Sequence, residues 1–174
     1  MKSTVDGPAD TRPAPGPKQP IKELLYSAPG KQGILLGPTH AACVAARTWV
    51  RDRAWVSIAD SHSREGISGT RQSVEVSGRA ARVAWELMDN ALKYSRSGMA
   101  DGSLLVELSR TRFLLKVAVT DGGPLLTERP SLPREHERGG GGLNRVGDLS
   151  VYWDWDGRGT AGSPVCVYAQ IELP

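Results

Sequence analysis

Glu86, Asn90 and Lys93 stand at i, i+4 and i+7 within Ala80–Tyr94, a run that contains no helix breaker. At 3.6 residues per turn the three side chains project from one side of a helix. Their chemistry suits phosphate work. A carboxylate can take a proton or orient a nucleophile, a neutral amide oxygen suits a hard cation such as Mg²⁺, and an ammonium suits a phosphate. For an isolated string of this kind, the wet side of an amphipathic helix is the better account.

Two later stretches change the weight of that string. Asp121-Gly122-Gly123 follows the β-rich run Phe113 to Val119. An acidic side chain at a strand end can accept a hydrogen bond from an adenine amino group, and the glycines let the backbone approach the base. Taken alone, a tight Asp-Gly turn explains it equally well. Gly139 to Gly142 and Leu143 then precede a candidate short helix ending at Leu149. Glycines there permit a nest of N–H groups facing a phosphate at a helix start, although a Gly run is often only a linker. A P-loop is excluded, because no Gly-Lys-Ser/Thr follows. A late turn carries Gly157-Arg158-Gly159-Thr160.

The elements that must position these residues follow from periodicity. Thr39 is the expected N-cap of a helix running to about Trp55. Residues 60–76 are polar and read as a loop. A second helix is expected from Ser77 or Gly78 through Tyr94, with Val83, Leu87, Ala91 and Tyr94 at helical spacing. Leu104, Val106 and Leu108 alternate with Ser103, Leu105, Glu107 and Ser109 and pair with Phe113–Val119 as a hairpin. Val151–Trp155 and Val165–Leu173 make a closing pair of strands, in which Trp153 and Trp155 are expected to pack. Ile21–Gly37 offers one or two short strands. This order predicts an α+β domain, a two-layer α/β sandwich with a mixed, mostly antiparallel sheet and helices on one face.

Composition narrows the class. The 174 residues suit one domain, assigned to 21–174, after a tail at 1–20. The tail holds Pro8, Pro13, Pro15, Pro17 and Pro20 and is expected to be disordered. Lys and Arg number 22 against 19 Asp and Glu, and the net +3 is spread along the chain, which argues against a dedicated nucleic-acid binder. Cys43 and Cys166 match no metal-ligand spacing. The sequence shows neither a membrane-span-length apolar run nor the apolar core of a signal peptide, so the expected location is the cytoplasm.

Taken jointly, these motifs resemble a known family. Trp85-Glu86-Leu87-Met88-Asp89-Asn90-Ala91-Leu92-Lys93-Tyr94-Ser95 looks like the N box of the Bergerat-type ATP-binding superfamily. Asp121-Gly122-Gly123 looks like its G1 box, and Gly140-Gly141-Gly142-Leu143 like its G2 box. Within the superfamily the chain most resembles the anti-sigma-factor serine/threonine kinases of actinomycete type, over roughly Pro38 to Pro174. The leading helix from Ala41 to Val50 and the closing strand from Val167 to Pro174 share in that resemblance.

The resemblance implies the Bergerat ATP-binding fold, with ATP and Mg²⁺ as ligands. Glu86 would be the catalytic base; Asn90 would hold Mg²⁺; Lys93 would lie near phosphate; Asp121 and Gly123 would receive adenine. Gly140, Gly142 and Leu143 would line the phosphates, with Thr160 carried over from a poorly fitting last box. It further implies a sigma factor and an anti-sigma-factor antagonist as protein partners, without direct nucleic-acid or membrane contact. Relatives are often homodimers. The family's G1 box usually continues with a glycine where this chain has Leu125, which keeps a non-catalytic ATP-binding regulatory module as the alternative.

Overall fold

A computed structural model of the chain describes residues 26–28, 30–65, 70–125, 141–160 and 162–173. Helix α1 (His40–Glu65) begins at Thr39, whose Oγ1 accepts the Ala42 N–H at 3.1 Å, the N-cap bond that supplies a partner to one first-turn donor. Cys43, Ala46, Val50, Ala54 and Ile58 recur at three- and four-residue steps and are buried. Helix α2 (Thr70–Tyr94) packs against α1 and buries Val76, Ala80, Val83, Ala84, Leu87, Met88 and Ala91. A single 3₁₀ turn, Arg96–Gly98, follows it.

Most of the polar stretch expected to be a loop at 60–76 is helical. α1 runs on to Glu65 rather than ending near Trp55, and α2 starts at Thr70 rather than near Ser77. For α2 the reason lies in Ser73 and Ser77, both buried. They occupy inward positions one turn apart, where small side chains let helices approach closely. The Ser77 hydroxyl donates to the Val74 carbonyl at 3.0 Å, so it is satisfied inside its own helix.

The strands are β1 (Tyr26–Ala28), β2 (Lys31–Leu36), β3 (Leu104–Arg110), β4 (Leu114–Asp121), β5 (Tyr152–Gly157) and β6 (Val165–Glu172). They form one sheet in the order β1-β2-β3-β4-β6-β5. Every pairing among the described strands is antiparallel, which replaces the expected mixed sheet. Short connections within β1–β2 and β3–β4 leave antiparallel pairing as the only choice.

Register explains the two layers. Ile34, Val106, Val119, Val167 and Trp155 lie in one row across the sheet, and Leu108, Val117, Ala169 and Trp153 in the next. These side chains share the face that meets the helices and, with α1, α2 and α3 (Gly142–Leu149), form the core. Trp153 and Trp155 are partly buried against it, the packing role expected of them. The opposite face carries the Lys31–Glu107 ion pair at 2.7 Å and the Lys116 ammonium 3.6 Å from the Tyr168 ring centroid. Among the described residues, no helix is long and apolar enough to cross a membrane.

Candidate functional site at the end of helix α2

Glu86 sits at the margin of the buried stripe of α2, five residues before Ala91, the last buried residue of that helix. It is 7% exposed, a degree of burial that carboxylates rarely show unless paired. Its Oε1 accepts a hydrogen bond from Arg145 Nη1 of α3 at 3.3 Å. Its Oε2 faces Gly142, where an added Cβ would lie 3.3 Å away. A side chain at 142 would therefore crowd the carboxylate, so glycine lets the first turn of α3 lie against it.

Helix α3 is held from below. Leu143 and Val146 are buried in the core, and Arg79 of α2 donates from Nε (3.2 Å) and Nη2 (2.9 Å) to the Leu149 carbonyl. That bidentate bond supplies a partner to a C-terminal acceptor and sets a cation at the negative end of the helix dipole. The other end is different. Its N-cap is Gly141, which makes no side-chain capping bond.

Asp121 ends β4 on the same face as Leu115, Val117 and Val119, which is the helix side. Its Oδ1 accepts the Gly123 N–H at 2.7 Å, an Asx-type turn. Burial pushes its carboxyl above the ordinary aspartate value, against the opposing pull of hydrogen bonds from the Gly123 and Val165 backbones. The loop is bonded directly to the residues that follow α2. Arg96 N–H donates to the Gly123 carbonyl at 2.9 Å, Gly122 N–H donates to Ser97 Oγ at 2.8 Å, and Ser95 bridges to Pro124. Ser97 passes the chain of bonds on by donating to the Ser103 carbonyl.

Gly123 has φ +79°, and a Cβ there would collide with the Ser163 carbonyl oxygen. Thr160 stands in that neighbouring turn: its carbonyl accepts the Ser163 N–H at 3.0 Å and its hydroxyl lies 2.9 Å from Ser163 Oγ. Gly123→Ala is expected to destabilise the fold by about 2–5 kcal/mol, combining left-handed strain with overpacking. Gly78→Ala, in an open position within α2, should instead stabilise by about 0.5–1 kcal/mol. Denaturant melts of both variants check the contrast, and equal midpoints would refute the loop geometry.

The expected site residues are thus partly gathered. Glu86 meets Gly142 beside Leu143, while Asp121, Gly123 and the Thr160 turn converge on the end of α2. Asn90, half-buried, lies between the two groups, one turn beyond Glu86. Lys93 is already engaged: its ammonium pairs with Asp89 at 2.6 Å, and that hydrogen bond raises its pKa. Gly140 lies outside the described residues, as do the tail at 1–20 and residues 126–140.

Sequence reasoning missed Arg145, Arg79, Ser95 and Ser97. Among the described residues no group of three or more His, Cys, Asp or Glu side chains could hold a metal. An Asn90-held Mg²⁺ would not require one, because Mg²⁺ is usually bound through one or two protein oxygens plus waters and substrate phosphates. Cys43 and Cys166 are free, and burial raises the Cys43 thiol above its ordinary value, with Asp89 adding to the shift. That is the opposite of a reactive thiol. Comparison of the sequence with protein-family models gives no match, and comparison with curated proteins gives none.

Proposed function

We propose that the chain is an ATP-binding anti-sigma regulatory factor with the Bergerat fold. In this reading it is a Mg²⁺-dependent serine/threonine protein kinase that phosphorylates an anti-sigma-factor antagonist and sequesters a sigma factor. One observation carries the reading: the turn that directly follows the helix bearing Glu86 and Asn90 is hydrogen-bonded, through Arg96 and Ser97, to the loop of Asp121, and Asp121 lies on the helix side of the sheet. A nucleotide with its base at Asp121 would then run along α2 towards Glu86.

In the proposed reaction Glu86 accepts the proton of a serine or threonine hydroxyl. That oxygen bonds to the γ-phosphorus of ATP as the bond to the β,γ-bridging oxygen breaks, and ADP leaves. Mg²⁺ held by Asn90 would neutralise phosphate charge, and catalysis would rest on positioning. Gly142 and Leu143 would support the phosphate end, and Gly123 would give the base close access to backbone. The reading further entails cytoplasmic work between two protein partners, without direct nucleic-acid contact, and leaves room for the homodimer common in the family it resembles.

Calorimetric titration with ATP, with and without Mg²⁺, tests it on wild type and Asn90→Ala. Mg²⁺ should tighten binding to wild type by about tenfold or more, roughly the 1.5–3 kcal/mol of a charge-assisted contact, and should do little for the variant. Equal affinity in all four titrations ends the metal assignment. A second reading, a non-catalytic ATP-binding module that only holds partners, draws on the Arg145–Glu86 pair, because the proposed base is already engaged. Tight ATP binding without phosphate transfer to any antagonist would favour it.

A further inference from the structure

Arg145 has no part in the motif-based site, yet it is the side chain that holds Glu86. The pair is lopsided: the Arg145 side chain is 62% exposed and that of Glu86 only 9%. Their contact is a single bond of 3.3 Å, longer than the 2.7–2.9 Å typical of tight charged pairs (about that range). Arginine carries five N–H donors in a rigid fork that matches phosphate. Its Cα lies in the first turn of α3, whose Gly142 carries no side chain to crowd the other Glu86 oxygen.

We propose that Arg145 is a phosphate-contacting latch: with no anion present it rests on Glu86, and an arriving polyphosphate draws its guanidinium away and frees the carboxylate. The proposal rests on the nucleotide-binding reading above and adds a binding residue and its regulation to that site. The two partners compete for one cation. A carboxylate offers one negative charge through a single long bond, whereas a triphosphate offers several charges and many acceptor oxygens, so exchange favours the ligand. While Arg145 stays on Oε1 its cation occupies the carboxylate that a base must offer to a hydroxyl. Phosphate binding and release of that carboxylate from Arg145 are therefore one event.

The exchange has a signature in binding alone. Any apparent affinity is reduced by the fraction of molecules in which Arg145 is engaged on Glu86. Weakening the latch should tighten the ligand, and only through Arg145. Calorimetry would use inorganic tripolyphosphate and ATP as probes on wild type, Glu86→Gln, Arg145→Ala and the double variant. Glu86→Gln should bind both probes about three- to tenfold more tightly. Arg145→Ala should bind both about tenfold or more weakly, and in the double variant the tightening should vanish.

If the tightening survives without Arg145, it reflects plain repulsion between Glu86 and phosphate, and the latch is overturned. The latch is equally overturned if Glu86→Gln leaves both affinities unchanged. Arg145→Gln provides the check should Arg145→Ala fold poorly: keeping length but not charge, it should also bind both probes about tenfold or more weakly, and wild-type affinity there removes Arg145 from the phosphates. If wild type and all variants bind neither probe, the nucleotide reading has failed. If all bind ATP but the effects are additive, only the latch has.

Discussion

Glu86→Gln should abolish phosphate transfer to an antagonist while leaving ATP binding at least as tight as in wild type. The amide keeps the size of the carboxylate and can still accept from Arg145, so the margin of α2 and the start of α3 stay packed. What it loses is the ability to take a proton. Removing a positioned general base slows such reactions by about 10²–10⁴-fold, so single-turnover phosphorylation should fall by that factor. Transfer at the wild-type rate would strip Glu86 of its role and leave only the partner-holding module. Thermal midpoints of the two proteins, measured alongside, separate lost chemistry from lost structure.

Asp121→Asn should weaken ATP by about 10–100-fold, the loss of a charge-assisted acceptor worth roughly 1.5–3 kcal/mol, without weakening the fold at neutral pH. The asparagine oxygen can keep the Gly123 N–H bond. The effect on stability follows from the direction of the wild-type shift. Burial raises the folded-state carboxyl above its unfolded value, so the folded protein binds this proton more tightly than the unfolded chain does. Stability from this group is greatest below the unfolded value, near 3.9 (about). It declines as pH rises through the folded-state value and stays reduced above it. At pH 7 the variant, free of the buried charge, should be at least as stable as wild type, and wild type should regain ground as the solution is acidified. A wild type that instead gains on the variant as pH rises would contradict the shift. A residue that weakens the fold where it stands is the kind that binding, rather than folding, retains.

The parts of the fold that announced themselves did so through hydropathy. Leu104, Val106 and Leu108 alternate as a half-buried strand must, and Thr39 has the side chain an N-cap needs. The helical hairpin was legible only where its interface is apolar. Once Ser73 and Ser77 take over the inward positions, the pattern looks polar although the geometry continues. Exposed Gly78, a poor helix former, reinforced the wrong starting point. The absence of parallel pairing among the described strands could not be read from composition, because strand order depends on which edges meet.

The site was legible to the extent that it lies along one helix or at one strand end. Glu86 and Asn90 share a side because of helical spacing alone, and Asp121 falls on the helix side because strand parity carries it there from Val119. Partner choice was not legible. Lys93 has both Asp89 and a hypothetical phosphate within reach, and the i,i+4 rule favours Asp89. Arg145 meets Glu86 only because α3 docks across α2, which no local pattern encodes.

The position of β6 has a consequence for synthesis. It is the last of the described strands in sequence order, yet it lies inside the sheet, between β4 and β5, with Val165 opposite Asp121. During translation β4 can pair with β3 as soon as both have left the ribosome, but its other edge stays bare until residues 165–172 emerge. The aspartate at its end is therefore among the last groups to reach its final surroundings. A nascent chain has its long helices and most of its strands before Val165 comes to lie opposite Asp121.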